Sequence, residues 1–566
     1  MNAGKHKRGG KGRGAGTGAG SEQRVYLIGA GAALAAGASP GEMGFKAYNL
    51  ARMAAVGMPV PPAFVLSTAF CRDYYAAKCA LPAGFRGLLD ANLRELERMS
   101  GLSFGGARRP LLVSVRSGAA VSMPGMLDTV LNIGLNDATV SGLVRMTGNP
   151  RLAWDSYRRL IQSYAEVVHG AKPEAFDAAR AQRLKAARVA AAGDLDFISL
   201  RDLATEYLDI YRELTGENFP QAPLDQLSAA AEAVFRSWAG KKALEYRRIH
   251  RLGAAAGTAV CVQTMVYGNG GGTSGAGVAF TRDPATGENA LYMDFLFNAQ
   301  GDDVVSGRHD LGERVQIGAL LPEVLQQIEA LRKRLEAEFG DLQEFEFTVQ
   351  DGQLYMLQTR NGKRTPLAAL RIAVEMVAEG LLTPGGALAR LQDVKLRSIQ
   401  TESVRAKDGQ APLARAIPAG VGVAVGEIVL DAETARRRAA AGKAVILVRE
   451  DISTDDVSGI ASAAGILTAR GGRTAHAAVV ARQMGKVCLV GCRELAIDPA
   501  RHSCTIGGKP LREGQVISLD GGTGGVYAGA VDIVRARPER ELGAVASWRA
   551  QLPQDRARAQ ARNRKS

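Results

Sequence analysis

No apolar run in this 566-residue sequence reaches the roughly 18 residues of a membrane-spanning helix, so no anchor of that kind is expected. Cysteine is scarce and scattered: Cys71, Cys79, Cys261, Cys488, Cys492 and Cys504 form no CxxC pair and no dense framework. That pattern excludes a disulfide-stapled scaffold and suits a reducing, cytoplasmic setting. Aromatic residues make up only 5%, and the six histidines stand at positions 6, 169, 250, 309, 476 and 502. Acidic residues are too few to balance the basic ones, and the net charge is +14. The excess sits at the ends, with six Lys or Arg against one Glu in residues 1–24 and nine against three acids in residues 535–566. A nearly balanced body between two basic ends reads as a globular protein with solvated tails, and a nucleic-acid-binding surface is not expected. Residues 1–22, opening MNAGKHKRGGKGRGAGTGAG, cannot bury enough surface to offset their ordering entropy and read as a disordered tail.

Glycine, by contrast, is abundant at 67 residues, and with 46% hydrophobic and 23% charged residues the profile is that of a multidomain globular chain. The length predicts about three to four domains. Val25 to Ala38 (VYLIGAGAALAAGA) superficially copies a secretory signal, but VYLIG also reads as a short strand entering a glycine turn, and that is the reading adopted. From residue 23 to 365 strands mix with helices, and residues 139–238 follow helical periodicity, which predicts a helical insertion in an α/β domain. Residues 366–410 read as a helical connector punctuated by Pro384 and Gly385. A second domain is expected over 411–534, where GVGVAVGEIVL, AVILVRE, GILTA, VCLVG and VISLDGGTGGVY supply strands. Residues 535–566 read as a basic tail.

Among the histidines, His476 stands apart. The strand-like GILTA runs into Arg470-Gly471-Gly472-Arg473-Thr474-Ala475-His476, and AAVVARQMG then repeats apolar residues at helical spacing. His476 is thereby placed at a helix N-terminus, where unpaired backbone N–H groups and the positive dipole end would stabilise a phosphoryl group on the imidazole. A histidine capping a helix after a glycine turn would give the same short pattern, and Thr474 reads as an N-cap hydroxyl. In the front half, VRSGAAVSMPGM holds Arg116, a planar fork of donors suited to phosphate oxygens. Ser117, Ser122 and Gly125 can add hydroxyl and backbone contacts. Residues 268–277, GNGGGTSGAG, read as a glycine-rich hairpin of the kind that closes over polyphosphate. EFEFT (344–348) and YMLQTR (355–360) alternate as strands joined at Asp351-Gly352, so Glu344 and Glu346 share a face and Glu346 and Gln358 converge.

Together these motifs resemble the pyruvate, phosphate dikinase family over roughly residues 25–535. GILTARGGRTAHAAVVARQMGKVCLVGC is similar to that family's phosphohistidine domain, which implies that His476 is the phosphocarrier. GFKAYNL (44–50) resembles a Gly-Gly-Lys-Gly-x-Asn-Leu loop whose lysine, here Lys46, meets nucleotide phosphates; Phe45 and Ala47 replace glycines. VRSGAAVSMPGM looks like the family's phosphate-binding segment, and the glycine-rich hairpin implies ATP contacts at Gly275 and Gly277. The family usually has threonine where Ala276 stands. The paired strands resemble the closing strands of the ATP-grasp fold, which implies Mg²⁺ at Glu346 and Gln358, a second carboxylate at Glu344, and Arg360 on the phosphates. Thr474 matches a threonine that a regulatory kinase and phosphatase act on in the family. Arg473 also has a counterpart in the related water dikinase that makes phosphoenolpyruvate, so the loop leaves the acceptor open.

The resemblance implies an α/β multidomain chain: an ATP-grasp domain with a helical insertion, then a swivelling β/β/α phosphohistidine domain. It implies that ATP and phosphate give AMP, pyrophosphate and phosphohistidine. Family members continue into a (β/α)₈ barrel that binds pyruvate, so a separate barrel protein is the expected partner. A different acceptor, or a role as a nucleotide-binding regulator, is the alternative.

Overall fold

The computed structural model describes residues 24–563 apart from 30, 122–127, 190–191, 250–256, 306–312, 406–410, 453–455 and 473–475. Within its helices, the side chains of 242, 249, 302, 305, 313–316, 457, 476–477, 483 and 552–563 also lie outside the described set.

Short β-branched and aromatic runs build a first antiparallel sheet from β1 (Val25–Ile28), β2 (Ala63–Leu66), β3 (Val113–Gly118), β4 (Thr129–Ile133) and β5 (Ala259–Thr264). The order is β1-β2-β5-β3-β4. Side-chain alternation divides its two faces. Phe64, Leu66, Val260 and Val262 enter a core shared with the helical insertion, whereas Ala63, Val65, Ala259 and Cys261 enter another shared with helix α1 (Phe45–Ala55). The insertion runs from Thr139–Thr147 through α2 (Pro150–His169), Glu174–Ala187 and Phe197–Thr215 to Pro223–Ser237. Its α2 is started by Asn149, whose side chain accepts from Leu152 N at 3.0 Å, with Pro150 in the first turn.

A second antiparallel sheet follows in the order β9-β8-β6-β7 from β6 (Gly275–Phe280), β7 (Tyr292–Phe297), β8 (Gln343–Gln350) and β9 (Gln353–Asn361). The β8–β9 turn sits on Asp351 (φ 51°) and Gly352 (φ 79°), the left-handed pair that a two-residue hairpin requires. Phe345, Phe347 and Phe295 on this sheet pack with Leu50, Met53 and Ala54 of α1, so α1 is held between the two sheets. Helix α3 (Pro322–Phe339) joins the same core as α1 through Val324, Ile328, Leu331 and Leu335, and helix α4 (Pro366–Ala378) packs on the other face against Phe280 and Tyr292. The fully buried Arg282 meets Glu336 of α3 at 3.0 and 2.9 Å, Glu375 of α4 at 2.9 Å and Glu379 at 2.5 Å.

The second domain is entered by β10 (Thr401–Arg405), which pairs antiparallel with the exit strand β16 (Asp532–Ala536). Its eight-stranded sheet contains β11 (Ile417–Gly420), β12 (Val423–Val429), β13 (Val445–Arg449), β14 (Gly465–Thr468) and β15 (Val487–Val490). Strands β12 to β15 run parallel, and β11 closes on β15 antiparallel. Their near-continuous apolar sequences are what a sheet covered on both faces demands. One face packs on helices Ala432–Ala440, Val457–Ser462 and α5 (His476–Gln483), through Ala435, Ile460, Ala478 and Ala481. The other packs on a three-stranded sheet, Leu495–Asp498, Ser503–Ile506 and Lys509–Arg512. The layers are therefore β/β/α.

The chain ends differently from the expected basic tail. Residues Glu539–Asn563 form helix α6, and Val545 and Trp548 bury against Leu367, Leu370, Ala373 and Leu391 of the connector. Leu542, Val545 and Trp548 make a narrow apolar stripe that the surrounding charge conceals in sequence.

Candidate functional site

The two sheets, α1 and α2 enclose a cleft of about 410 Å³. Five of the predicted residues, Lys46, Arg116, Gly277, Glu346 and Gln358, line it. Lys46 is brought there by the start of α1. Gly44 precedes that helix at φ 75°, and a Cβ on it would lie 2.5 Å from the Gly118 backbone, so only glycine lets α1 seat against the end of β3. Phe45 N then donates to Ala119 O at 2.8 Å, and the buried Asn49 amide donates to Thr359 O of β9 at 3.0 Å. The Lys46 ammonium reaches solvent through the open cleft, yet the dense surroundings hold its pKa below 10.5, first by burial and then through Arg116 and Arg360, with Glu346 opposing.

Glu346 and Gln358 face each other across β8 and β9, and Gln358 Nε2 donates to Glu346 Oε1 at 3.1 Å. A register shift follows directly between Glu346 and Phe347, a local irregularity of the kind that re-aims side chains beside sites. Two register positions away, on the same face, Arg360 donates to Glu344 Oε1 at 2.5 Å. Glu344 is buried and does not line the cleft, so its carboxylate serves Arg360. One carboxylate and one amide beside a polyphosphate fit Mg²⁺, which keeps few protein ligands. Among the described residues no group of three or more His, Cys, Asp or Glu side chains forms a metal cage.

Other predicted residues fall elsewhere. Ser117 does not line the cleft, and Ser122 and Gly125 lie outside the described residues. Gly275 and Gly277 belong to the buried strand β6 rather than to a loop tip. A Cβ at Gly275 would meet the Phe295 ring at 2.2 Å and one at Gly277 the Phe347 ring at 2.3 Å, so these glycines make room for aromatic packing. Ala276 packs with Val278 and Val304, an apolar setting for the methyl that replaces the family's threonine.

Sequence reasoning missed Arg159, Gln263, Thr264 and Gln300, all cleft-lining. Arg159 on α2 is held by Asp155 at 2.8 Å and Asp303 at 3.4 Å. Gln263 Nε2, Thr264 Oγ1 and Gln300 Oε1 are buried polar atoms without a protein partner, and the cleft they line is thereby prepared for a ligand rich in donors and acceptors. With Lys46, Arg116 and Arg159 against Glu346, the lining is also electropositive.

In the second domain, β14 leads into a loop anchored by Arg470, which donates through its backbone N to Glu450 O at 2.9 Å and pairs with the Glu450 carboxylate at 2.8 Å. Gly471 and Gly472 are buried, with Gly471 at φ 103°. Arg473, Thr474 and Ala475 lie outside the described residues, and His476 opens α5 as its first residue.

Residues 77–315 and 310–380 match the model of the pyruvate phosphate dikinase AMP/ATP-binding domain, and residues 441–524 match the mobile domain of PEP-utilising enzymes. The sequence is 43% identical over 509 residues to pyruvate, phosphate dikinase of Clostridium symbiosum, covering 89% of this chain and 58% of that protein. It is 42% identical over 515 residues to the Entamoeba histolytica enzyme of the same name, covering 90% and 58%. Against pyruvate, phosphate dikinase 2 of Zea mays it is 43% identical over 531 residues, covering 93% and 60%. The chain thus spans about three fifths of the length of these relatives.

Proposed function

The chain belongs to the pyruvate, phosphate dikinase family, and on that premise we propose that it loads the β-phosphoryl group of ATP onto its own His476. One arrangement carries this reading: Glu346 hydrogen-bonded to Gln358 in a cleft that also presents Lys46, Arg116 and Arg159. The cations take the polyphosphate, with Arg360 set beside them by Glu344. Gln263, Thr264 and Gln300 supply polar partners for the rest of the nucleotide. Glu346 and Gln358 would hold Mg²⁺ together with the phosphates, and the ion would neutralise charge on the transferring group.

A neutral imidazole nitrogen of His476 attacks the β-phosphorus, and the α–β bridge breaks with its electron pair leaving on AMP. Inorganic phosphate attacks the γ-phosphorus, the β–γ bridge breaks, and pyrophosphate leaves. Phosphohistidine remains at the start of α5, where backbone N–H groups favour the anion. Onward transfer to pyruvate we assign to a pyruvate-binding (β/α)₈ barrel, in the cytoplasm. Thr474 is assigned as the target of a regulatory kinase and phosphatase.

The test is incubation of the chain with Mg²⁺, phosphate and ATP labelled separately at the β and γ positions, beside His476→Ala. Acid-labile β-label on the wild type alone, with AMP and pyrophosphate released, supports the half-reaction. ATP binding without label would leave a nucleotide-binding regulator. Label that moves to an acceptor other than a pyruvate-binding barrel would overturn the assignment of pyruvate.

A further inference from the structure

The helix that begins at His476 also carries a charge with no part in the chemistry above. Arg482 lies near the other end of α5, only 3% exposed. A buried guanidinium in a small domain calls for an explanation, and here part of it comes from the other domain. The guanidinium lies 5.5 Å from the ring centre of Phe280 on β6 and 6.0 Å from that of Tyr292 on β7. It also donates to Ala419 O of β11 at 3.4 Å. Tyr292 reaches back across the same boundary, its hydroxyl donating to Pro418 O at 3.4 Å.

The two rings are Cα partners across β6 and β7, packed edge to face at 6.0 Å and 77°. Behind them stand Leu342 and, from the connector helix α4, Ala368, Ile372 and Met376. The platform is therefore rigid and belongs to the nucleotide-binding body. Strand β6 also reaches the cleft. Val278 lines it opposite Glu346, and Phe280 follows two residues later opposite Glu344, a step of about 6.6 Å along a strand. One strand thus touches both the nucleotide site and the carrier helix.

We infer that Arg482 is a positioning residue, the seat on which the carrier helix rests against the nucleotide domain when His476 is loaded. Arginine suits a seat that has to release. Its planar face stacks on aromatic rings, and its charge is rehydrated when the domains part, so the contact is firm without being permanent. The inference rests on His476 as the phosphocarrier, but the contact itself can be tested without catalysis.

The experiment uses the full chain as wild type, Arg482→Ala, Arg482→Lys and Tyr292→Phe. Two readouts are taken: the initial rate of β-label incorporation as a function of ATP concentration, and the radius of gyration by small-angle X-ray scattering. Arg482→Ala is expected to keep its KM for ATP within about twofold of wild type, to lower the maximal rate at least about tenfold, and to expand the particle. Arg482→Lys keeps the charge without the planar face and falls between the two. Tyr292→Phe, losing one hydrogen bond, shifts the same way by less. If Arg482→Ala does not fold, Arg482→Lys decides on the same readouts. Wild-type rate and size in Arg482→Ala would overturn the inference, as would a rise in KM with no loss of maximal rate. A wild-type chain that takes no label overturns the carrier reading instead, and scattering then decides the seat alone: equal radii across the variants sink it.

Discussion

Lys46 works as a cation in a place that disfavours cations. Burial, Arg116 and Arg360 hold its pKa below 10.5, and Glu346 restores part of the loss. Rising pH therefore strips its charge earlier than for a free lysine, and ATP affinity should decline in a window that opens below pH 10.5. Equilibrium dialysis with ATP from pH 7 upward checks this, with Lys46→Arg as the variant that keeps its charge throughout. Lys46→Met should cost about 1.5–3 kcal/mol, or about tenfold to a hundredfold in ATP affinity. His169 gives a second pH signature, in stability. It accepts or donates a 2.8 Å hydrogen bond with Tyr211, and burial holds its pKa below 6.5. As pH falls through 6.5 the unfolded chain binds the proton first, so stability present above that value is lost on acidification. Urea unfolding between pH 5 and 8 should show a shallower dependence in His169→Gln. At this scale the sequence was informative wherever chemistry and spacing agreed. Glu346 and Gln358 were legible because a hairpin with period-2 alternation fixes which residues oppose. Arg159 was not: Asp155, four residues earlier, marks only an ordinary helix pair, and no local pattern connects Arg159 to Asp303 or to the cleft.

An element is placed by contacts that single residues make possible, and two of them can be tested directly. Gly44→Ala forces a Cβ into the Gly118 backbone at the mouth of β3, so α1 has to shift and Lys46 with it. ATP affinity should fall about as far as in Lys46→Met while the far-UV circular dichroism is kept. Arg282, just past β6, meets Glu336 of α3, Glu375 of α4 and Glu379 just beyond it, and Arg282→Met would leave the buried Glu336 and two half-buried carboxylates without their cation. The expected loss is about 3–5 kcal/mol, measured by chemical denaturation. The strands of both domains were legible from their β-branched runs: VYLIG gave β1, and GILTA and VCLVG gave β14 and β15. The glycine-rich stretch 268–277 was read as a hairpin closing over polyphosphate, but its end is a buried strand, because glycine can yield space to phenylalanine as readily as to phosphate. Helix α6 escaped because two buried side chains, Val545 and Trp548, hold it down and the remainder is charged.

At the scale of the whole molecule, burial of thiols reports on every described layer at once. Cys79 is the one exposed cysteine of the six, and burial raises Cys261, Cys492 and Cys504 to about 11 and Cys488 to about 12. Titration with an aromatic disulfide reagent should show one fast thiol in the native chain and five released only on unfolding. Their rates would show whether the two domains open together or in sequence. The layered plan of each domain was anticipated from the family resemblance of the motifs; the surfaces where the domains meet were not, because Phe280, Tyr292 and Arg482 come from distant segments whose local patterns are complete without each other. The ribbon of β10 and β16 has a further consequence. Because the strand that enters the β/β/α domain pairs residue for residue with the strand that leaves it, Thr401 opposite Ala536 and Arg405 opposite Asp532, the domain begins and ends at one point in space. To the remainder of the chain it is a detour of zero net displacement. Such a cassette can be cut out, closed on itself or replaced by another of any size without stretching what it leaves behind.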